Sequence, residues 1–142
     1  MKVLDIILRD LVTIPSTATV NEAAKLMVQN NLGLLVVSDP NDTTKLLGVV
    51  SERDIIRSIA SGGNLAQSVN AISTKNPITV QENSDVAEAA KAMNKHGIRH
   101  VVVVDARKAP VGVVSMRDLV GERATLNAIL KSDEKEVFVG GD

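Results

Sequence analysis

One stretch of this chain is written twice, and that duplication restricts its fold more than any other feature. Gly48-Val49-Val50-Ser51-Glu52-Arg53-Asp54 returns as Gly112-Val113-Val114-Ser115-Met116-Arg117-Asp118, with six of seven residues the same. Displacing the sequence by 66 positions pairs Thr13 with Thr79, Val20 with Val86, Glu22 to Lys25 with Glu88 to Lys91, Met27 with Met93 and Asp39 with Asp105. Beyond Asp39 the offset falls to 64, so the second copy has lost two residues in the loop that follows. A fixed period settles the architecture before any element is placed. It predicts repeats over 1–64 and 65–131 and a charged tail over 132–142.

Each half opens with a short apolar segment, Val3 to Leu8 or Val69 to Ile72, read as a helical turn or two, and continues in a brief extended piece around Thr13 or Thr79. Thr19 with Glu22, and Asp85 with Glu88, have capping-box spacing. Val20, Ala23, Ala24 and Met27, like Val86, Ala89, Ala90 and Met93, then recur at i, i+3, i+4 and i+7, which predicts two amphipathic helices. Asn30-Asn31 and Gly97 are their stops. Leu34 to Val37 and Val101 to Val104 are aliphatic runs with no polar face, the pattern of strands buried on both sides. Loops rich in turn formers return the chain to Leu46–Ser51 and Val111–Ser115, predicting hairpins. Closing helices run from Glu52 to about Ala60 and from Met116 to about Lys131. The unit is β-α-β-β-α, twice, an α/β (α+β) fold. Each copy would leave an apolar sheet face uncovered, so the halves are expected to pack face to face about a pseudo-twofold axis.

Sixteen basic against seventeen acidic side chains give a net charge of -1, so no global field draws in nucleic acid or an anionic membrane. The absence of Cys removes disulfides, thiolate catalysis and sulfur-built zinc sites, and fits a reducing compartment. Met1-Lys2-Val3-Leu4-Asp5 lacks the apolar core of a signal peptide, and no apolar run approaches the roughly 20 residues of a membrane helix. The expectation is a cytoplasmic protein. Asn41-Asp42-Thr43 is read as a turn rather than a glycosylation acceptor. With one Phe, no Tyr and no Trp, a bound base cannot be stacked between aromatic rings.

At each junction a buried strand runs straight into a helix start, where backbone N–H groups point outward at a place suited to an anion. Ser51 with Asp54, and Ser115 with Asp118, also have the spacing of a plain capping arrangement worth about 1 kcal/mol. Arg53 and Arg117 stand just inside their helices, where a cation opposes the dipole, which favours phosphate binding over a purely structural role. His96 and His100 do not form a metal pair, because Gly97 breaks the helix between them. Phosphate loops, dinucleotide fingerprints and nucleophile elbows are missing, and nothing orients His100 against Ser115, so catalysis is rejected.

The paired Gly-Val-Val-Ser-x-Arg-Asp junctions, together with Gly97-Ile98-Arg99-His100-Val101-Val102-Val103-Val104-Asp105, resemble the CBS domain, and two copies in tandem resemble a Bateman module. The resemblance spans about Leu4 to Leu130. It implies two clefts between the repeats for adenosyl compounds such as AMP, ADP, ATP, S-adenosylmethionine or NAD, and dimers of modules. Through it, Asp54 and Asp118 become acceptors for a ribose diol, with Ser51, Ser115, Arg53 and Arg117 near the phosphate. It likewise implies phosphate contacts for Arg99 and His100, of which a regular strand would turn only one toward a given cleft. Backbone groups at Val12, Thr13, Pro77 and Ile78 would hold the base, with Thr74 as a polar contact. Gly33, Leu34 and Leu8 replace Arg99, His100 and Thr74 in the first half, so the Asp118 site is expected to bind more strongly.

The function so implied is an adenine-nucleotide sensor, AMP first, without catalytic residues or a cofactor. It would signal occupancy to an unknown regulated protein and form a homodimer. Ile55, Ile56, Ile59, Leu119, Val120 and Leu126 are the candidate dimerisation positions, with core packing as the plain alternative. The rival readings are a ligand-free interaction module and a sensor of S-adenosylmethionine or NAD.

Overall fold

The structure is a computed structural model that describes residues 1–7, 9–121 and 128–132. In the first half, β1 (Thr13–Pro15), α1 (Val20–Asn30), β2 (Leu34–Asp39), β3 (Asp42–Ser51) and α2 (Glu52–Ala60) follow one another. The second half continues from β4 (Thr74–Lys75) through β5 (Thr79–Gln81), α3 (Val86–His96), β6 (His100–Val104), β7 (Pro110–Ser115) and α4 (Met116–Val120). Two short 3-10 turns, Val3–Ile6 and Val69–Ala71, occupy the opening segments.

Both aliphatic runs lie in the middle of a sheet. β2 runs parallel to β1 and antiparallel to β3, while β6 runs parallel to β5 and antiparallel to β7. Alternation along these strands splits their side chains between two environments. Leu35 and Val37 join Ile14, Val20, Ala23, Met27 and Val50 beneath α1 and α2. Val101 and Val103 do the same with Ala89, Met93 and Val114 in the second half. The opposite faces, Val36 from β2 with Val102 and Val104 from β6, meet each other and form a third cluster. The sheets therefore pack inside and the helices outside, as the uncovered sheet faces required.

Period alone does not reveal where the opening segments dock. Val3, fully buried, belongs to the core of the second repeat, and Val69 to that of the first. The Val3 N–H donates to the Ser84 carbonyl (2.8 Å), the Leu4 N–H to that of Glu82 (3.1 Å) and the Val86 N–H to that of Met1 (2.9 Å). One period later the Val69 N–H donates to the Ala18 carbonyl (2.8 Å) and the Val20 N–H to that of Gln67 (2.9 Å). The exchange is reciprocal, as a twofold relation demands. β4, absent from the sequence reading, is part of it: it pairs with β3 and makes the first sheet four-stranded.

Helix ends follow local chemistry. Thr19 and Glu22 form the expected box, but Asp85 accepts from the Ala87 N–H instead (2.8 Å) and Glu88 turns to Lys91 (3.4 Å), so the second box is not made. Asn31 and Gly97 take the left-handed conformation that ends α1 and α3. The closing helix predicted to run unbroken to Lys131 stops at Val120, because Gly121 adopts a left-handed cap (φ 58°). Residues 128–132 are helical again, and the tail over 133–142 lies outside the described residues. Ile55 is buried in the first core and Leu119 packs against the second, so packing claims both, while Ile56, Ile59 and Val120 remain exposed. Adjacent helical positions point about 100° apart, which separates Ile55 from Ile56. Leu126 lies outside the described residues.

Val3→Ala should destabilise the chain by about 1–3 kcal/mol, as truncation of a fully buried aliphatic group does. Native-state hydrogen exchange should show the loss first at Ala89, Val101 and Val103 of the second repeat. Loss confined to residues 13–51 would contradict the exchange of segments.

Candidate functional site

At the two junctions β3 and β7 end on Ser51 and Ser115, each extended and each the N-cap of the next helix. The Ser51 N–H donates to Asp54 Oδ2 (2.8 Å) and the Asp54 N–H to Ser51 Oγ (3.1 Å). The second junction repeats this: the Ser115 N–H donates to Asp118 Oδ2 (2.8 Å) and the Asp118 N–H to Ser115 Oγ (3.2 Å). The Ser115 hydroxyl adds a bond to the same carboxylate oxygen (3.0 Å). Both are complete capping boxes. The cap takes Oδ2 and leaves Oδ1 of each carboxylate for another donor.

Strand register collects the other candidates. Leu34 lies opposite Ser51, and His100 opposite Ser115. β5 enters with Thr79 opposite Val102, so two residues earlier Pro77 falls into the row of His100. Pro77 and Ile78, both half-buried, thus share one end of the second sheet with His100, Ser115 and Asp118. Val12 and Thr13 stand at the corresponding end of the first sheet beside Leu34, Ser51 and Asp54. Thr74 is carried elsewhere: β4 sets it opposite Val49 of the first repeat. Its first-half counterpart, Leu8, lies outside the described residues. Arg53, Arg99, Arg117 and Asp118 are exposed, whereas Asp54 is half-buried.

His100 is the most constrained group among them. Burial pushes its imidazole below the ordinary value of 6.5, opposed by the negative charges of Asp118 and Glu52 and reinforced by Arg117 and Arg99. Asp118 belongs to its own repeat and Glu52 to the other, so His100 faces the seam between them. Glu52 also packs over Gly33, the position equivalent to Arg99, where an added Cβ would meet Glu52 Oε1 at 3.4 Å. Glu52 fills the one variable position of the repeated heptad, Met116 in the second copy, and repetition therefore gave no signal for it.

Asp54 lines an open cleft of about 410 Å³ with Arg57, Ser58, Ser61, Gln67 and Ile72. That volume lies within the range of small-molecule sites. Arg57, Ser58 and Ser61 follow Asp54 along one face of α2 and its end, while Gln67 and Ile72 come from the exchanged segment. Among the described residues no three His, Cys, Asp or Glu side chains gather for a metal ion, and no helix is long and apolar enough to cross a membrane.

The CBS domain model matches residues 3–61 and 69–124. A CBS domain protein of Pyrobaculum aerophilum, solved in complex with AMP, superposes with a TM-score of 0.83 at 38% identity, over 92% of this chain and 99% of that one. The CBS domain pair of protein MJ0100, in complex with 5'-methylthioadenosine and S-adenosyl-L-methionine, gives a TM-score of 0.78 at 30% identity, over 88% and 97%. In sequence, a 17.7-kDa protein of Acidianus ambivalens is 37% identical over 71% of this chain, which spans 60% of that protein's length. YlbB of Bacillus subtilis is 32% identical over 95% of both chains.

The glycines that open the two heptads yield a graded expectation. A Cβ on Gly48 would run into the backbone carbonyl of Thr74, whereas one on Gly112 would meet the flexible end of Ile7, 2.8 Å from Cδ1. Gly48→Ala should therefore cost about 2–3 kcal/mol and Gly112→Ala about 1 kcal/mol, because a rotamer yields more cheaply than a paired strand. Chemical denaturation of the two variants checks the order.

Proposed function

The chain belongs to the CBS domain family, and from that membership we propose that it is a regulatory adenine-nucleotide-binding module, with AMP the first ligand. The observation that carries the reading is the pair of matched helix starts, each holding an Asp whose Oδ1 is left over from capping. A carboxylate offers a vicinal diol acceptor oxygens without a competing donor. The Pyrobaculum protein's AMP complex supports the choice of nucleotide, and the MJ0100 complex makes S-adenosylmethionine the second ligand to test. Arg53 and Arg117 serve the phosphate at the helix starts. His100 does so from the seam, where burial disfavours its protonated form and Asp118 and Glu52 offset only part of that cost.

No group in either cleft is proposed as a nucleophile or general base. The nucleotide is bound and released unchanged, and its occupancy is passed to a partner protein in the cytoplasm. A ligand spanning the seam favours whichever packing of the halves it binds better, and by no more than that difference. Ile56 and Val120, exposed at matching places on α2 and α4, form the proposed homodimer surface together with exposed Ile59.

Calorimetric titration with AMP tests this reading. Asp54→Ala should weaken binding about ten- to a hundredfold, the loss expected for hydrogen bonds to a charged group. Asp118→Ala should weaken it less, the reverse of the order that Arg99, His100 and Thr74 suggest in the sequence, because Thr74 pairs with the first sheet and Asp118 is exposed while Asp54 is half-buried and lines a cleft. No heat of binding with either AMP or S-adenosylmethionine would leave the module as a ligand-free interaction domain.

The same titration carried from about pH 8 to about pH 5.5 reads His100. Its proton is held weakly in the free protein, and a bound phosphate would hold it more tightly. Affinity of the parent chain should therefore rise, relative to His100→Gln, as pH falls through the imidazole range. Parallel pH profiles for the two proteins would remove His100 from the site.

A further inference from the structure

The open edge of the second sheet carries a groove that the nucleotide reading does not use. Among the described residues β5 pairs only with β6, so it is the outer strand of its sheet. The Ile78 carbonyl accepts from the Val102 N–H (3.2 Å), and the Glu82 N–H donates to the Val104 carbonyl (2.9 Å). In a parallel ladder alternate residues bond the neighbour, so Thr79 and Gln81, both exposed, turn their N–H groups outward. Beside this edge lies a cleft of about 440 Å³, walled by the face of α3 that presents Glu88, Lys91, Ala92, Lys95 and His96. Those positions, i, i+3, i+4, i+7 and i+8, form one stripe. Glu88 is drawn to Lys91 (3.4 Å), so the stripe's remaining charge is positive.

The first repeat supplies an internal comparison. Its β1 is also the outer strand of its sheet, but Pro15 stands where Gln81 is and removes an outward N–H, which is a common way to close an edge. Leu26 replaces Ala92 and fills space, while Gln29 and Asn30 replace Lys95 and His96. Basic residues in a last turn also suit a helix dipole. Yet α1 ends without any, so the fold does not require them there. The two repeats share a scaffold, and only the second keeps its edge open, roomy and cationic.

We propose that the groove between β5 and α3 docks an extended acidic segment of a partner protein, added as a strand to the β5 edge with its carboxylates against Lys91 and Lys95. Main-chain bonds to Thr79 and Gln81 supply the pairing and the lysines select the charge. The groove shares Ile78 with the nucleotide reading, but its docking residues Thr79, Gln81, Lys91 and Lys95 belong to neither Ser-Asp junction.

The test uses the full chain, labelled with nitrogen-15, and a blocked synthetic octapeptide alternating Glu and Val, with a Lys and Val counterpart as control. The Glu peptide should shift the amides of residues 79–81 and 88–96. The double variant Lys91→Glu/Lys95→Glu should reduce its affinity at least about tenfold, the loss expected when charge pairs become like-charged. Gln81→Pro, which copies Pro15 of the first repeat, should abolish the shifts at the strand while leaving the remaining spectrum folded. Equal binding of the Lys peptide, shifts that survive both variants, or no shifts at all would overturn the proposal. So would binding seen only after residues 133–142 are removed, since that result assigns the groove to the chain's own tail.

Discussion

The fold depends on the exchange of Val3 and Val69. Each is a buried plug for a core whose other members come from the opposite repeat. A three-stranded sheet with two helices on one face leaves a gap where α1 or α3 begins, and a neighbouring apolar residue must fill it. Since each half fills the other's gap, neither has a complete core of its own. Separating the halves would open both cores as well as the seam at Val36, Val102 and Val104. Exposing two buried valines alone costs about 3–6 kcal/mol, a large part of the stability of a domain this size.

That constraint limits how the two halves can move. A wide opening of the two halves would withdraw the plugs, at a cost comparable to global unfolding. On the proposed nucleotide reading, a ligand would act by small adjustments of a joined structure. Elements outside the exchanged cores are the ones free to respond: the helix starts at Glu52 and Met116, the exposed faces of α2 and α4, and the groove beside β5. On that reading a local change at the seam would reach α2 and α4 through rigid strands, because β3 and β7 lead directly into them.

Much of this fold is legible in the sequence because one pattern is stated twice. The helices of Val20 and Val86, the buried runs and the hairpins follow from local periodicity, and the sheet-to-sheet packing follows from strands with no polar face. Segment exchange is not legible, since Val3 and Val69 are equivalent residues and a period does not say which copy of a partner each meets. The helix break at Gly121 was missed because the apolar periodicity continues across it. Among site residues, Ser51, Asp54, Ser115 and Asp118 stand out by repetition, and their caps could be read from spacing. Glu52 was hidden for the opposite reason: it occupies the one position where the copies disagree, and its influence on His100 arises only across the seam.

Disagreement between the copies then becomes the more informative signal about function. Residues kept in both, such as Gly48 with Gly112 and Ser51 with Ser115, answer to the scaffold: each glycine lies under a close neighbour, Thr74 or Ile7, and each serine caps a helix. Residues that differ on the same scaffold are released from that requirement. Glu52 against Met116 and Leu34 against His100 place a carboxylate and an imidazole on the two sides of one seam, one from each repeat. Gln81 against Pro15 and Lys95 against Gln29 open one edge and close the other. A duplicated fold thus carries its own control, and in this chain the departures from symmetry gather at the seam and at the β5 edge.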